Sequence, residues 1–365
     1  MPVAAPISRR QSLRLAAVAG VAAAAAGLGG CRRGGGEGLL LSPRGQLPPA
    51  WLQRLPQPWQ PRLLPTPAAV LAAAGQPAGA SALLLNLEDG WAQQLERSQL
   101  QPCPASALLA QLDPRAAAPS RLWGPPQSPP LAFPWAFGTW LLVLRHRADL
   151  AERRREGWAL LLDPSLRRRL VLPSSPRVLI DIASRQLGWS GGMTTGPDLD
   201  DPRLLDQLRR LQRQAAAFDE VDGLNLLLAG DAEAAVLPSH QVLPVLLRDQ
   251  RLQALLPDAG SPLWWQLLLQ PTPLSPLAAD PAWPLPWLAD GLALPLLDRL
   301  LAGGWVPPLP RAQLAPALAR WPERLRALLL PPEEVLARCS SLVAFRPDEQ
   351  RRWQRLWDRA LAPGA

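Results

Sequence analysis

The sequence predicts a mixed α/β protein built as two lobes. Three observations predict it. The 365 residues exceed one ordinary domain at roughly 100–200 residues each. Short Leu- and Val-rich runs, the signature of strands buried on both faces, alternate with longer capped amphipathic stretches. Hydrophobic residues make up 48% and charged ones 19%, the balance of a chain with a packed core.

Leu39-Leu40-Leu41 reads as a first buried strand, residues 67–74 as an Ala-rich helix and Ala82–Leu85 as a second strand. Asp89 is placed to cap a helix over Trp91–Ser98. Strand, helix, strand, helix implies a largely parallel sheet. Pro-rich loops follow, then an apolar strand from Phe133 through Leu144. Leu170–Leu172 is a strand. Ser175 followed by Pro176 reads as an N-cap with Pro at the first helical position, and the helix it starts ends at Gly188. Asp201-Pro202 repeats the device, and Leu204, Leu205, Leu208, Leu211 and Ala215 then fall on one face. Ala234–Leu237 is a strand, 242–256 a helix and Trp265–Leu269 a strand. Residues 271–286 hold too much Pro for a helix; helices near 287–302, 311–328 and 347–361 close the chain.

Composition excludes chemistry. All 38 basic residues are Arg, Tyr is absent, and His146 and His240 are the two histidines. Without Lys there is no P-loop lysine or Schiff base, and two His cannot form a His-rich metal site. Ser239 and His240 are sequence neighbours, which does not align a hydroxyl on an imidazole, and no nucleophile elbow is present. No catalytic residue, metal or cofactor is therefore expected, and the chain reads as a non-enzyme.

At the N-terminus, Arg9-Arg10 precedes an Ala/Gly-rich run from Leu15 to Gly30, and Leu28-Gly29-Gly30 precedes Cys31. A twin arginine before a short, weakly apolar stretch is an export address, and small residues before a Cys form a lipobox. The reading is a signal over 1–30, lipidation at Cys31 and a Gly-rich tether over 31–38. Losing 1–30 removes Arg9, Arg10 and Arg14 and lowers the net charge from +8 to +5. Runs such as Arg153–Arg155 and Arg167–Arg169 lack interleaved aromatics and read as solvated faces, so no nucleic-acid partner is expected. Cys103 and Cys339 could pair in an oxidising compartment, but their separation and the lack of a disulfide framework favour two buried thiols.

Several segments, in order, resemble one family. Phe133-Pro134-Trp135-Ala136-Phe137-Gly138-Thr139, Trp158-Ala159-Leu160-Leu161-Leu162-Asp163-Pro164, Arg169–Leu172 with the capped helix after it, Leu187-Gly188-Trp189-Ser190, Leu228–Val236 and Leu263-Trp264-Trp265 are similar to periplasmic spermidine/putrescine-binding proteins, the substrate-binding subunits of polyamine ABC importers. The loop Gly304-Trp305-Val306-Pro307-Pro308 matches as well.

The resemblance implies a periplasmic-binding-protein-like fold of the class II type with ligand held between the lobes. It divides the mature chain into a first lobe, 39–138 plus about 265–330, and a second, 139–264 plus about 331–365. It implies a monomeric envelope lipoprotein, exported by the twin-arginine route, that hands a polyamine-like cation to an ABC permease.

A polyamine needs carboxylates for its ammonium groups and aromatic faces for its methylenes. The resemblance puts Trp135 and Phe137 at the family's aromatic pair and Trp264 at its return crossover. Ser174 and Ser175 stand where members typically bear acids, and Gln266 where an Asp is usual. Glu88 and Asp89 are the acids well placed after a strand, and Asp219 heads an acidic group with Glu220 and Asp222. Ligands of open α/β sheets sit at the carboxyl ends of strands, which independently selects 42–44, 86–89, 173–175, 238–240 and the loops beside Trp135 and Trp264. Another small ligand on the same fold (an amino acid, a thiamine-like cation or an oxyanion) and an envelope lipoprotein that no longer binds are the alternatives.

Overall fold

The structure, a computed structural model, describes residues 38–75, 82–189, 197–272, 282–342 and 347–362. The twin arginine, Cys31 and the end of the Leu187–Ser190 motif lie outside the described residues.

Among the described residues ten strands form the sheet: β1 Gly38–Pro43, β2 Trp59–Leu64, β3 Ala82–Glu88, β4 Ala132–Arg145, β5 Leu170–Leu172, β6 Ala215–Phe218, β7 Ala234–Pro238, β8 Leu252–Leu255, β9 Pro262–Leu269 and β10 Ser340–Ser341. Their main order is β2-β1-β3-β9-β4-β7-β5-β6. β4 organises it. Its sequence is apolar on both faces, as a central strand covered by helices requires, and every residue but Arg145 is buried. Ala132–Thr139 pair antiparallel with β9, whereas Trp140–Leu144 pair with β7 and Leu142–Arg145 with β8. The first half of β4 thus belongs to the β2-β1-β3-β9 layer and its second half to β7-β5-β6. The α/β halves on the two sides give the two-lobe fold.

The chain changes partners at Gly138, and the packing there tolerates nothing larger. A Cβ on Gly138 would lie 2.4 Å from Ser239 Oγ and 2.4 Å from Cζ2 of Trp264. Around it run the indoles. Trp51 and Trp287 stack at 4.1 Å and donate reciprocally, Nε1 of each to the other's carbonyl. Trp135 tilts against Trp51 and Trp305. His240 stacks on Trp305 at 4.2 Å and meets Trp264 edge-on at 4.6 Å. Burial pushes His240 down to about 3, so this ring stays neutral and packs as an aromatic.

Several elements differ from expectation for local reasons. The helix at Asp89 spans only Asp89–Ala92, and Asp89 does not cap it, its carboxylate being used elsewhere. The segment 242–256 is a helix only from Ser239 to Leu246; the polar turn at Asp249–Arg251, closed by Asp249 Oδ1, breaks it, and Leu252–Leu255 join the sheet as β8. The segment 287–302 divides before Pro295 into Leu285–Gly291 and Leu296–Ala302, and 311–328 divides before Pro322 into Arg311–Leu318 and Glu323–Leu329. The strand read from Trp265 begins at Pro262. Two short strands carry no period-2 signal: edge strand β2, with Pro61 and Arg62, and β6, with three alanines. Cys103 is buried, Cys339 half-buried, and both are free thiols.

Candidate functional site

β1, β3, β5, β6 and β7 present their carboxyl ends toward the same region, and three of the loops that follow converge. Gly90, Trp91, Gln93 and Gln94 follow β3, Ser174–Arg177 follow β5, and Glu220 follows β6. With Gln350, Trp353 and Gln354 of the C-terminal helix Pro347–Leu361 they line a cavity of about 360 Å³.

Each charged group there is held by the fold. Ser175 and Pro176 start the helix Pro176–Gln186, which puts Arg177 in its first turn, facing the other half. Arg177 Nη2 donates to Asp89 Oδ2 (3.2 Å) and to the carbonyl of Leu342 (3.0 Å). Gly90 makes room for it: a Cβ there would lie 2.5 Å from Arg177 Nη1. Asp89 Oδ1 in turn accepts from the backbone N–H of Trp265 (3.3 Å). Burial raises the Asp89 carboxyl, and the Arg177 guanidinium opposes that rise. Glu220 Oε2 accepts from the backbone N–H of Ser174 (2.5 Å) and from its hydroxyl (2.6 Å).

Glu88 is half-buried at the end of β3. Burial, reinforced by the neighbouring charges of Asp89 and Glu220 and opposed by Arg177, pushes its carboxyl up to about 8. It therefore holds a proton at neutral pH. Directly across the antiparallel register from Glu88 is Gln266, fully buried, and neither atom of its amide has a hydrogen-bond partner among the described residues. A buried amide left unsatisfied is costly, so this spot is polar and in need of a partner.

Of the residues singled out from sequence, Ser174 and Ser175 line this cavity, Asp89 pairs with its lining residue Arg177, and Glu88 and Gln266 face each other across the β3–β9 register, outside its lining. Asp219 turns inward on its own loop, Oδ1 accepting from the N–H groups of Val221 and Asp222, and it is Glu220 that faces the cavity. Trp135 is enclosed, its Nε1 donating to Asn86 Oδ1 (2.8 Å). Phe137 stacks on Trp265 at 5.1 Å. Trp264 is buried against His240 and donates to the Thr139 carbonyl (3.2 Å). The aromatics that do line the cavity are Trp91 and Trp353. No group of three His, Cys, Asp or Glu among the described residues could hold a metal ion.

This arrangement, two α/β halves joined through one long strand, is similar in fold to solved ABC-transporter substrate-binding proteins. Solved structures similar in fold to this chain include the following. The spermidine/putrescine ABC transporter substrate-binding protein PotD of Streptococcus pneumoniae matches with a TM-score of 0.67 at 14% identity, over 89% of this chain and 98% of that one. The Tp0655 lipoprotein (TpPotD) of Treponema pallidum matches at 0.58 and 13%, over 88% and 98%, and the Atu4243 GABA receptor at 0.62 and 12%, over 90% and 99%. No protein-family model and no curated protein sequence matches the chain.

Proposed function

We propose that the chain is the substrate-binding lipoprotein of an ABC importer, exported by the twin-arginine route, anchored through Cys31, and handing a small organic cation to its permease as a monomer. The observation that carries the ligand class is a cavity between the halves lined by Glu220, Trp91 and Trp353, with Glu88 close enough to feel the charge of Glu220. Carboxylates supply counter-charge for an ammonium, and indole faces attract a cation while covering its apolar stem.

The relatives named for spermidine and putrescine make polyamines the first compounds to test, and TpPotD, a lipoprotein, supports the reading of Cys31. The fold of substrate-binding proteins supports a role without catalysis, and His240, sandwiched by indoles, is withdrawn from acid–base work. The test is calorimetric titration of the purified protein with putrescine, spermidine and single-amine analogues, together with native mass spectrometry for a co-purified amine. Binding of any of them in the micromolar range is the expected result. No heat and no thermal shift at millimolar concentration of every amine would refute the reading.

A further inference from the structure

The cavity holds an internal cation. Arg177 comes from the half of the chain opposite Asp89, and its guanidinium rests on the carboxylate with 14% of the Arg and 6% of the Asp side chain exposed. Its Nη2 donates to Asp89 Oδ2 and to the Leu342 carbonyl, and the missing side chain of Gly90 leaves it space. Arginine stays charged whatever its surroundings. Asp89 is thereby neutralised before any ligand arrives.

The charge left for a ligand lies on the other side of the cavity. Glu220 is fixed by Ser174, and Glu88 lies near enough for the charges of Glu220, Asp89 and Arg177 all to act on it. Gln93, Gln94, Gln350 and Gln354 also line the cavity, as do Trp91 and Trp353. One ammonium is matched by Glu220, and by Glu88 once it gives up its proton. A second, reaching the Asp89 end, would meet a guanidinium in a partly desolvated space, a like-charge contact that disfavours it.

We infer that Arg177 is a specificity-determining residue: by occupying Asp89 it makes the cavity select ligands with a single ammonium end over diamines of the same length. This rests on the organic-cation reading above and narrows it. The experiment compares two probes of one four-carbon chain, 4-amino-1-butanol and 1,4-diaminobutane, binding to the full protein and to Arg177→Gln and Arg177→Lys.

The wild type should bind the amino alcohol at least tenfold more tightly, about 1.4 kcal/mol. Arg177→Gln, which frees Asp89, should shift the ratio at least tenfold toward the diamine, and Arg177→Lys, which keeps the charge, should preserve the wild-type order. A wild type that prefers the diamine, or a folded Arg177→Gln with an unchanged ratio, overturns the inference while leaving the organic-cation reading in place. If neither probe nor any polyamine binds, both fall. The wild-type order alone is decisive should the Gln variant not fold.

Discussion

Glu88 couples ligand binding to pH, and the coupling has a sign and a size. In the ligand-free protein its carboxyl sits near 8 because burial, Asp89 and Glu220 all oppose the charged form, Arg177 alone favouring it. An ammonium docked beside it favours the carboxylate, so below pH 8 binding must expel a proton. Affinity should then rise by up to about tenfold per pH unit between pH 6 and 8, roughly a hundredfold or about 2.7 kcal/mol in all, and level off above 8. Titration at pH 7 in two buffers of different ionisation enthalpy should report nearly one proton released per ligand. In Glu88→Gln the release and the pH dependence should both vanish.

The same group acts on stability in the opposite sense. A carboxyl whose native value is raised from 4.5 to about 8 stabilises fully below 4.5, and that contribution is lost as pH rises through 8. At ~1.36 kcal/mol per pH unit the loss approaches about 5 kcal/mol, reduced by the water that reaches a half-buried group. Glu88→Gln should accordingly raise the melting temperature at pH 9 and leave it nearly unchanged at pH 5. A constant dissociation constant from pH 6 to 9, with no proton release in either buffer, would refute the reasoning.

Three other outcomes follow from the packing and the N-terminus. Arg185, buried in the helix Pro176–Gln186, pairs with Asp181 and donates to the carbonyls of Ala259 and Arg338 and to Ser340 Oγ. Arg185→Met strands a buried carboxylate and should cost about 3–5 kcal/mol in urea unfolding. Gly138→Ala forces a methyl into Ser239 and Trp264 and should cost about 1–3 kcal/mol, read as a lower thermal midpoint. Cys31→Ser should abolish labelling by a radiolabelled fatty acid and move the protein from the membrane fraction to the soluble one.

The fold was legible where burial writes itself as composition. Leu39–Leu41, Ala82–Leu85, Leu170–Leu172 and Ala234–Leu237 are uninterrupted apolar runs, and each is a strand. The Ser175-Pro176 and Asp201-Pro202 starts are local, and both helices begin there. Boundaries failed where a distant partner decided them: Leu252–Leu255 become a strand because β4 has an open edge at Leu142–Arg145, a fact no window around residue 252 contains. The aromatics divide on the same ground. Nothing local tells an indole that lines a cavity, Trp91, from one enclosed by others, Trp135.

Arg177 is the instructive omission, because a local signal for it existed. It occupies the first turn of the helix Pro176–Gln186, right after Pro176, where the exposed N–H groups and the helix dipole favour an acid and disfavour a cation. A residue that breaks a local preference at a helix start needs compensation from elsewhere, and such conflicts gather at functional sites. Here the compensation is Asp89, 88 residues away in the chain. The acids missing from Ser174 and Ser175 belong to the same pattern. With an arginine on Asp89 and a carboxylate brought to Ser174 by Glu220, the cavity does not lack charge. One pair is closed internally, and Glu220, with a Glu88 that must give up its proton, is what remains for the single ammonium of the ligand inferred above.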